Sequence, residues 1–150
     1  MNILGIFQNP VLISSLAAWA IAQLLKIPLD YLSTRRWNWA LLLSAGGMPS
    51  SHSSLVTGMA HGVALFVGWD SPEFAIALAL TMVVVYDATG IRRQAGIQAQ
   101  KINVIVDELL KGHPVSDKQL REVLGHTPLE AVGGILLGLV VAQTVFFLWR

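Results

Sequence analysis

Ala131-Val132-Gly133-Gly134-Ile135-Leu136-Leu137-Gly138-Leu139-Val140-Val141-Ala142-Gln143-Thr144-Val145-Phe146-Phe147-Leu148-Trp149 carries no charged side chain from end to end. A helix of this length approaches the roughly 20 residues needed to cross the hydrocarbon of a bilayer. Outward from it, three shorter apolar stretches stand out: Val11 to Leu25, Leu55 to Trp69 and Phe74 to Tyr86. These reach spanning length only if polar-ended turns are added, as in Pro49 to Trp69 or Pro72 to Ile91, and a buried core helix is the alternative for each. Composition decides between the two. Of 150 residues, 54% are hydrophobic and only 13% charged, whereas charged residues make up about a quarter of a soluble domain. The excess apolar surface needs lipid or a partner. The expected fold is therefore all-α, an integral membrane bundle of about four spanning helices forming one domain over residues 1–150. Gly58/Gly62 and Gly134/Gly138 are small residues four apart, which let helix backbones approach closely and suit either a packed bundle or a homodimer.

The chain has no cysteine, which removes disulfides, thiolate metal sites and a cysteine nucleophile. A net charge of +1 gives no footprint for nucleic acid. No Lys or Arg precedes the first apolar run, so that run lacks the charged start of a secretory signal and is expected to stay in the protein. Of ten Lys and Arg, Lys26, Arg35 and Arg36 lie between spans one and two, and Arg92, Arg93, Lys101, Lys111, Lys118 and Arg121 between spans three and four. In a four-span protein those connections share one side. The positive-inside rule makes that side cytoplasmic and puts both termini opposite. Trp19, Trp37, Trp39, Trp69 and Trp149 read mostly as interface anchors near span ends.

Helix starts are written clearly. Ser71-Pro72 and Thr127-Pro128 place a capping residue before a proline at the first helical position, and Thr127 with Glu130 also spells a capping box. Ile102, Ile105, Val106, Leu109 and Leu110 follow helical spacing, predicting an amphipathic helix on the bundle or the membrane interface. A second short helix is expected after Ser116, stapled by Val115 and Leu120 and ended by Gly125. That would pin His126 at the mouth of the last span.

Gly46-Gly47-Met48-Pro49-Ser50-Ser51-His52-Ser53-Ser54 runs straight into span two. Glycines admit close backbone approach, and a helix start offers free amides and positive dipole to an anion, so with hydroxyls and a histidine the stretch suits a phosphate. The bland alternative is a serine-rich cap on a membrane helix. Lys26 ends span one, Arg35 and Arg36 follow it, and Arg92 and Arg93 end span three, so all fall at the depth of His52 and His126. Such a convergence is costly without an anion, although cations at span ends also snorkel to headgroups. His61 beside Gly62 reads as a packing histidine, and His113 before Pro114 as solvated surface. Asp87, at the end of a run of valines, needs a partner, with Arg92 or Arg93 the first choice and a metal the second.

Leu25-Lys26-Ile27-Pro28, Gly46 to Ser53, Asp87-Ala88-Thr89-Gly90-Ile91-Arg92-Arg93-Gln94-Ala95-Gly96 and Leu124-Gly125-His126-Thr127-Pro128-Leu129-Glu130 resemble, in order, the signature blocks of the divergent acid phosphatase/vanadium-dependent haloperoxidase-related family. This is an outlying branch of the type 2 phosphatidic acid phosphatase superfamily. The resemblance covers nearly the whole chain. It implies that Lys26 and Arg35 bind phosphate oxygens, that Pro49, Ser50, Ser51 and His52 form a second motif with serine in place of glycine, and that His126 with Glu130 forms the third. Leu120 stands where that third motif has an arginine. Arg121 is its neighbour, and Arg92 or Arg93 are the candidate replacements.

The resemblance implies a metal-independent membrane phosphatase, without a cofactor, acting on a lipid phosphate or isoprenoid pyrophosphate through a phosphohistidine. In it His126 attacks phosphorus, His52 protonates the leaving oxygen, Glu130 holds the His126 ring, and Lys26, Arg35, Ser50, Ser51, Arg92 and Arg93 bind phosphate. Glu130 has a rival role as reciprocal partner of the Thr127 cap. The competing class is a non-enzymatic protein that binds anionic headgroups or stabilises a membrane complex. The expected partners are the lipid substrate and the membrane, with a homodimer through small-residue faces and no nucleic acid. A transporter has little support, because the spans hold few central ionisable groups.

Overall fold

Three prolines and three short polar caps start the long helices. In the computed structural model, which describes residues 3–44, 46–109 and 126–150, the Asn9 side chain accepts from the amides of Val11 and Leu12 and opens α1, Pro10–Thr34. Ser71 accepts from the Phe74 amide and opens α3, Pro72–Thr89. Thr127 accepts from the Glu130 amide and opens α5, Pro128–Trp149. Proline at the first helical position gives up an amide that has no intrahelical acceptor anyway and presets φ. α2, Ser51–Phe66, starts on Ser50, and α4, Ile91–Leu109, follows α3 after Gly90. Short 3-10 turns at Ile3–Gln8 and Trp39–Leu43 complete the described chain, which contains no strand.

The four main helices alternate in direction around α2. Ser15 donates to the Leu55 carbonyl, Thr81 to the Val56 carbonyl, and Ser54 to the Gly134 carbonyl, so α2 touches α1, α3 and α5 along its length. Glycines allow this closeness. A Cβ at Gly58 would meet Ala18 Cβ at 3.0 Å, and one at Gly138 would meet the Ser54 carbonyl oxygen at 2.7 Å and the Gly58 nitrogen at 2.9 Å. The small residues thus serve packing within this chain, where lipid gives no hydrophobic drive and van der Waals contact must hold helices together. Gly138→Leu is expected to lower stability by about 1–3 kcal/mol through overpacking, or to prevent folding, measured by thermal unfolding in detergent.

Burial confirms which solvent surrounds the bundle. The interior is made of small side chains, with Ala18, Ala22 and Ala142 fully buried. Leu16, Leu24, Leu80, Val83, Leu136 and Phe147 all point outward. Exposed apolar surface on this scale belongs to a bilayer, not to water. The helix beginning at Pro10, that beginning at Pro72 and that beginning at Pro128 are long and apolar enough to cross a membrane. α2 is shorter, about 24 Å at 1.5 Å per residue, and sits sheltered among the others. The fold is an all-α membrane helical bundle.

Two boundaries differ from expectation. Lys26 does not end the first span: α1 continues through Pro28 to Thr34, so Lys26 lies inside the helix and is 1% exposed. A proline costs the helix one amide donor, but the rest of α1 carries on past it. Arg92 and Arg93 do not end the third span either. α3 stops at Thr89 and both arginines fall in the first turn of α4, an amphipathic helix that starts a full three turns before the predicted Ile102. The expected helix after Ser116 falls outside the described residues, as do Lys111, His113, Lys118, Leu120, Arg121 and Gly125.

Candidate active site

Because α1 and α3 run toward one end of the bundle and α2 and α5 run back, Lys26, the start of α2, the end of α3 and His126 meet at that end. Backbone bonds tie them. The Ser50 amide donates to the Glu130 carbonyl at 2.9 Å, and the His126 amide donates to the Ala88 carbonyl at 3.0 Å. His126 is therefore fixed on one side by α3 and, through Glu130, on the other by the α2 cap.

The imidazole of His126 is 4% exposed. Its Nδ1 lies 2.8 Å from Glu130 Oε2. A carboxylate there makes Nδ1 the protonated nitrogen and leaves the lone pair on Nε2. Nε2 is buried and has no hydrogen-bond partner among the described residues. A buried polar atom without a partner is uncommon and marks a place where a substrate, ion or water belongs. The ring of His52, from the first turn of α2, faces it with centroids 6.1 Å apart and planes inclined at 58°. Glu130 thus serves two neighbours with different atoms: its backbone amide caps onto Thr127 Oγ1 at 3.3 Å, while its carboxylate turns to His126. The two roles, expected to compete, coexist because the cap needs only the amide.

Lys26 is the cation placed here by its side chain. Its ammonium donates to the Ser44 carbonyl at 2.9 Å and to Ser51 Oγ at 3.4 Å. An ammonium has three protons, and the described residues take two. Ser51, the residue before His52, links Lys26 to the start of α2. Ser50 is fully buried, and its hydroxyl accepts from the Ser53 amide and hydroxyl; it shapes the start of α2, and its own proton is used in neither bond. The first amides of α2 lack intrahelical acceptors, as at any helix start.

The other expected phosphate ligands are placed less closely. Arg35 is exposed and ends α1 in the left-handed region, φ 57°, with its amide on the Tyr31 carbonyl. It lies about 13 Å along the axis beyond Lys26, so the structure does not bring it to the histidine pair. Arg92 and Arg93 are close in chain to Ala88, whose carbonyl holds His126; their side chains fall outside what is described. Asp87 is half-buried in the last turn of α3. His61 lies deeper in the bundle, with Nε2 3.2 Å from Gln143 Oε1 and its ring edge-on to Trp69, the hydrogen-bonded packing histidine expected. Ser44 was missed by sequence reasoning. A carbonyl acceptor carries no side-chain signature, and only the folding of the 3-10 turn against α1 reveals it.

Comparison with known proteins places this geometry in a lineage. The model of the Divergent PAP2 family matches residues 7–141, a stretch that includes Lys26, His52, His126 and Glu130. The uncharacterized membrane protein YuiD of Bacillus subtilis (strain 168) is 42% identical over 152 residues, covering 91% of this chain and 96% of that protein. No solved structure matches. With a family model spanning most of its length and a relative alike nearly end to end, the chain belongs to the divergent PAP2 family of membrane proteins.

Proposed function

We propose that this protein is a membrane phosphatase that hydrolyses a lipid phosphate or isoprenoid pyrophosphate through a phosphohistidine on His126. The observation that carries the reading is the buried Nε2 of His126, without a hydrogen-bond partner among the described residues, with Glu130 on its other nitrogen and His52 across from it. Nε2 attacks phosphorus and forms an N–P bond as the P–O bond to the alkoxide breaks. His52 gives its proton to the departing oxygen, then takes one from the water that cleaves the phosphohistidine and releases inorganic phosphate. Lys26 and the first amides of α2 hold phosphate oxygens as charge develops on them. Arg92 or Arg93 supplies further positive charge. The lipid tail stays in the bilayer while the phosphate meets the cations, and the positive-inside rule puts this end of the bundle on the cytoplasmic side.

The test is phosphate release by purified protein in detergent from a panel of lipid phosphates and pyrophosphates, with His52→Gln alongside. The variant is expected to lose roughly 10²–10⁴-fold in rate on alkyl phosphates and much less on a nitrophenyl phosphate, whose leaving group needs no proton. A folded wild-type protein that releases phosphate from nothing on the panel would reassign the pocket to binding anionic headgroups.

A further inference from the structure

Two cavities open side by side on the α1 flank of the bundle. One, of about 310 Å³, lies between α1 and α5 and is walled by Leu25, Leu29, Met48, Pro49, Leu136 and Val140, with Gly133 at one end. The other, also about 310 Å³, contains Lys26, Asp30, Ser33 and Gly47 and shares Leu29 and Met48 with the first. An apolar groove and a polar pocket thus adjoin across two side chains. We infer that the α1–α5 groove holds one hydrocarbon chain of a lipid phosphate whose headgroup lies at the Lys26 end, and that Gly133 and Met48 set which chain is accepted. This identifies the tail-binding part of the site proposed above and rests on the lipid substrate of that reading.

Direction supports the assignment. Gly133 follows Glu130 by three residues, and from there to Val140 α5 runs away from the histidines for about 10 Å. Leu29 to Leu25 on α1 descends beside it. The groove therefore begins beside the Lys26 pocket and leads into the hydrocarbon, the path a chain follows if its phosphate is held by Lys26. Charge supports it too. Lys26 is buried, its ammonium rests on a carbonyl and a hydroxyl, and it makes no ion pair within 4 Å among the described residues, although the Glu130 carboxylate acts on it from farther off and Asp30 lines the same pocket. A buried cation so placed favours an anionic group next to the groove, which selects a lipid phosphate over a neutral lipid. Finally, the groove is open at its head because residue 133 has no side chain. A Cβ there would stand 3.4 Å from Met48 Cε and 3.8 Å from Pro49 Cβ, so anything larger than alanine would fill the space. Met48, long and unbranched, can adapt to the chain it borders.

The test uses phosphatidic acid bearing a diazirine on one acyl chain, in phosphatidylcholine vesicles holding the full-length protein. After irradiation, mass spectrometry is expected to find label on Met48, Leu136 or Val140, suppressed by excess unlabelled phosphatidic acid. Leu136→Trp, at an exposed position where folding is not at stake, should cut that labelling roughly tenfold, as should Gly133→Leu. In turnover, Leu136→Trp should lower the ratio of kcat/KM for long-chain over short-chain lipid phosphates by a similar factor. Equal labelling by a diazirine-bearing diacylglycerol, or labelling that excess phosphatidic acid does not suppress, would reduce the groove to ordinary lipid contact and overturn the inference. Competed labelling without any phosphate release would uphold the groove and sink the phosphatase reading, so the two failures are separable.

Discussion

His126→Ala is expected to abolish phosphate release, a loss on the order of 10⁴-fold or more, because it removes the atom to which phosphorus is transferred. The variant should remain folded. The backbone bond from residue 126 to Ala88 survives the substitution, and so does the Thr127 cap that starts α5. The side chain removed makes one hydrogen bond among the described residues, to Glu130. Protein quenched in alkaline detergent after brief exposure to a ³²P-labelled lipid phosphate should carry acid-labile, base-stable label in the wild type and none in the variant. Full activity in His126→Ala would remove the nucleophile from the scheme, whatever else the pocket does.

Glu130→Gln should give the second largest effect, a fall in rate of roughly 10²–10⁴-fold, with stability changed by no more than about 0.5 kcal/mol. In the proposed mechanism the carboxylate at 2.8 Å holds the proton on Nδ1, so that Nε2 presents its lone pair, and it would stabilise the positive charge that the ring gains on phosphorylation. Glutamine keeps the shape but can donate as well as accept, which admits the tautomer with its lone pair on the wrong side. The helix start does not suffer, because Thr127 accepts from the backbone amide of residue 130, which glutamine retains. The two measurements together separate the roles once expected to compete. A purely capping glutamate would show little rate change in Glu130→Gln, whereas a positioning glutamate loses rate while its melting temperature holds. The amount of trapped phosphohistidine should fall with the rate.

Much of the bundle was legible before any coordinates. Uncharged runs define spans because a bilayer admits no unpaired backbone, and the dipeptides Ser71-Pro72 and Thr127-Pro128 mark helix starts because cap chemistry is local. The pairing of Gly58/Gly62 and Gly134/Gly138 with close helix contact was equally local in origin, since only residues without side chains permit it. Span ends were less readable. In the sequence Lys26 reads as a boundary because a lysine in hydrocarbon is expensive; inside the fold its charge is met by the Ser44 carbonyl and Ser51, partners distant in sequence.

The candidate site divides along the same line. Sequence by itself determined that histidines, serines and cations would crowd one end of a membrane bundle, because alternating spans leave no other place for the segments that carry them. It could not say that Arg35 stays exposed on a left-handed cap, that Ser50 accepts two bonds in shaping α2, or that Glu130 has an amide for the cap and a carboxylate for His126. Those outcomes depend on how α5 settles against α2 through Gly134 and Gly138, and on the bonds from Ser50 to Glu130 and from His126 to Ala88. Only tertiary packing sets such distances, and it is they that bring His52 and His126 face to face and leave one buried nitrogen open.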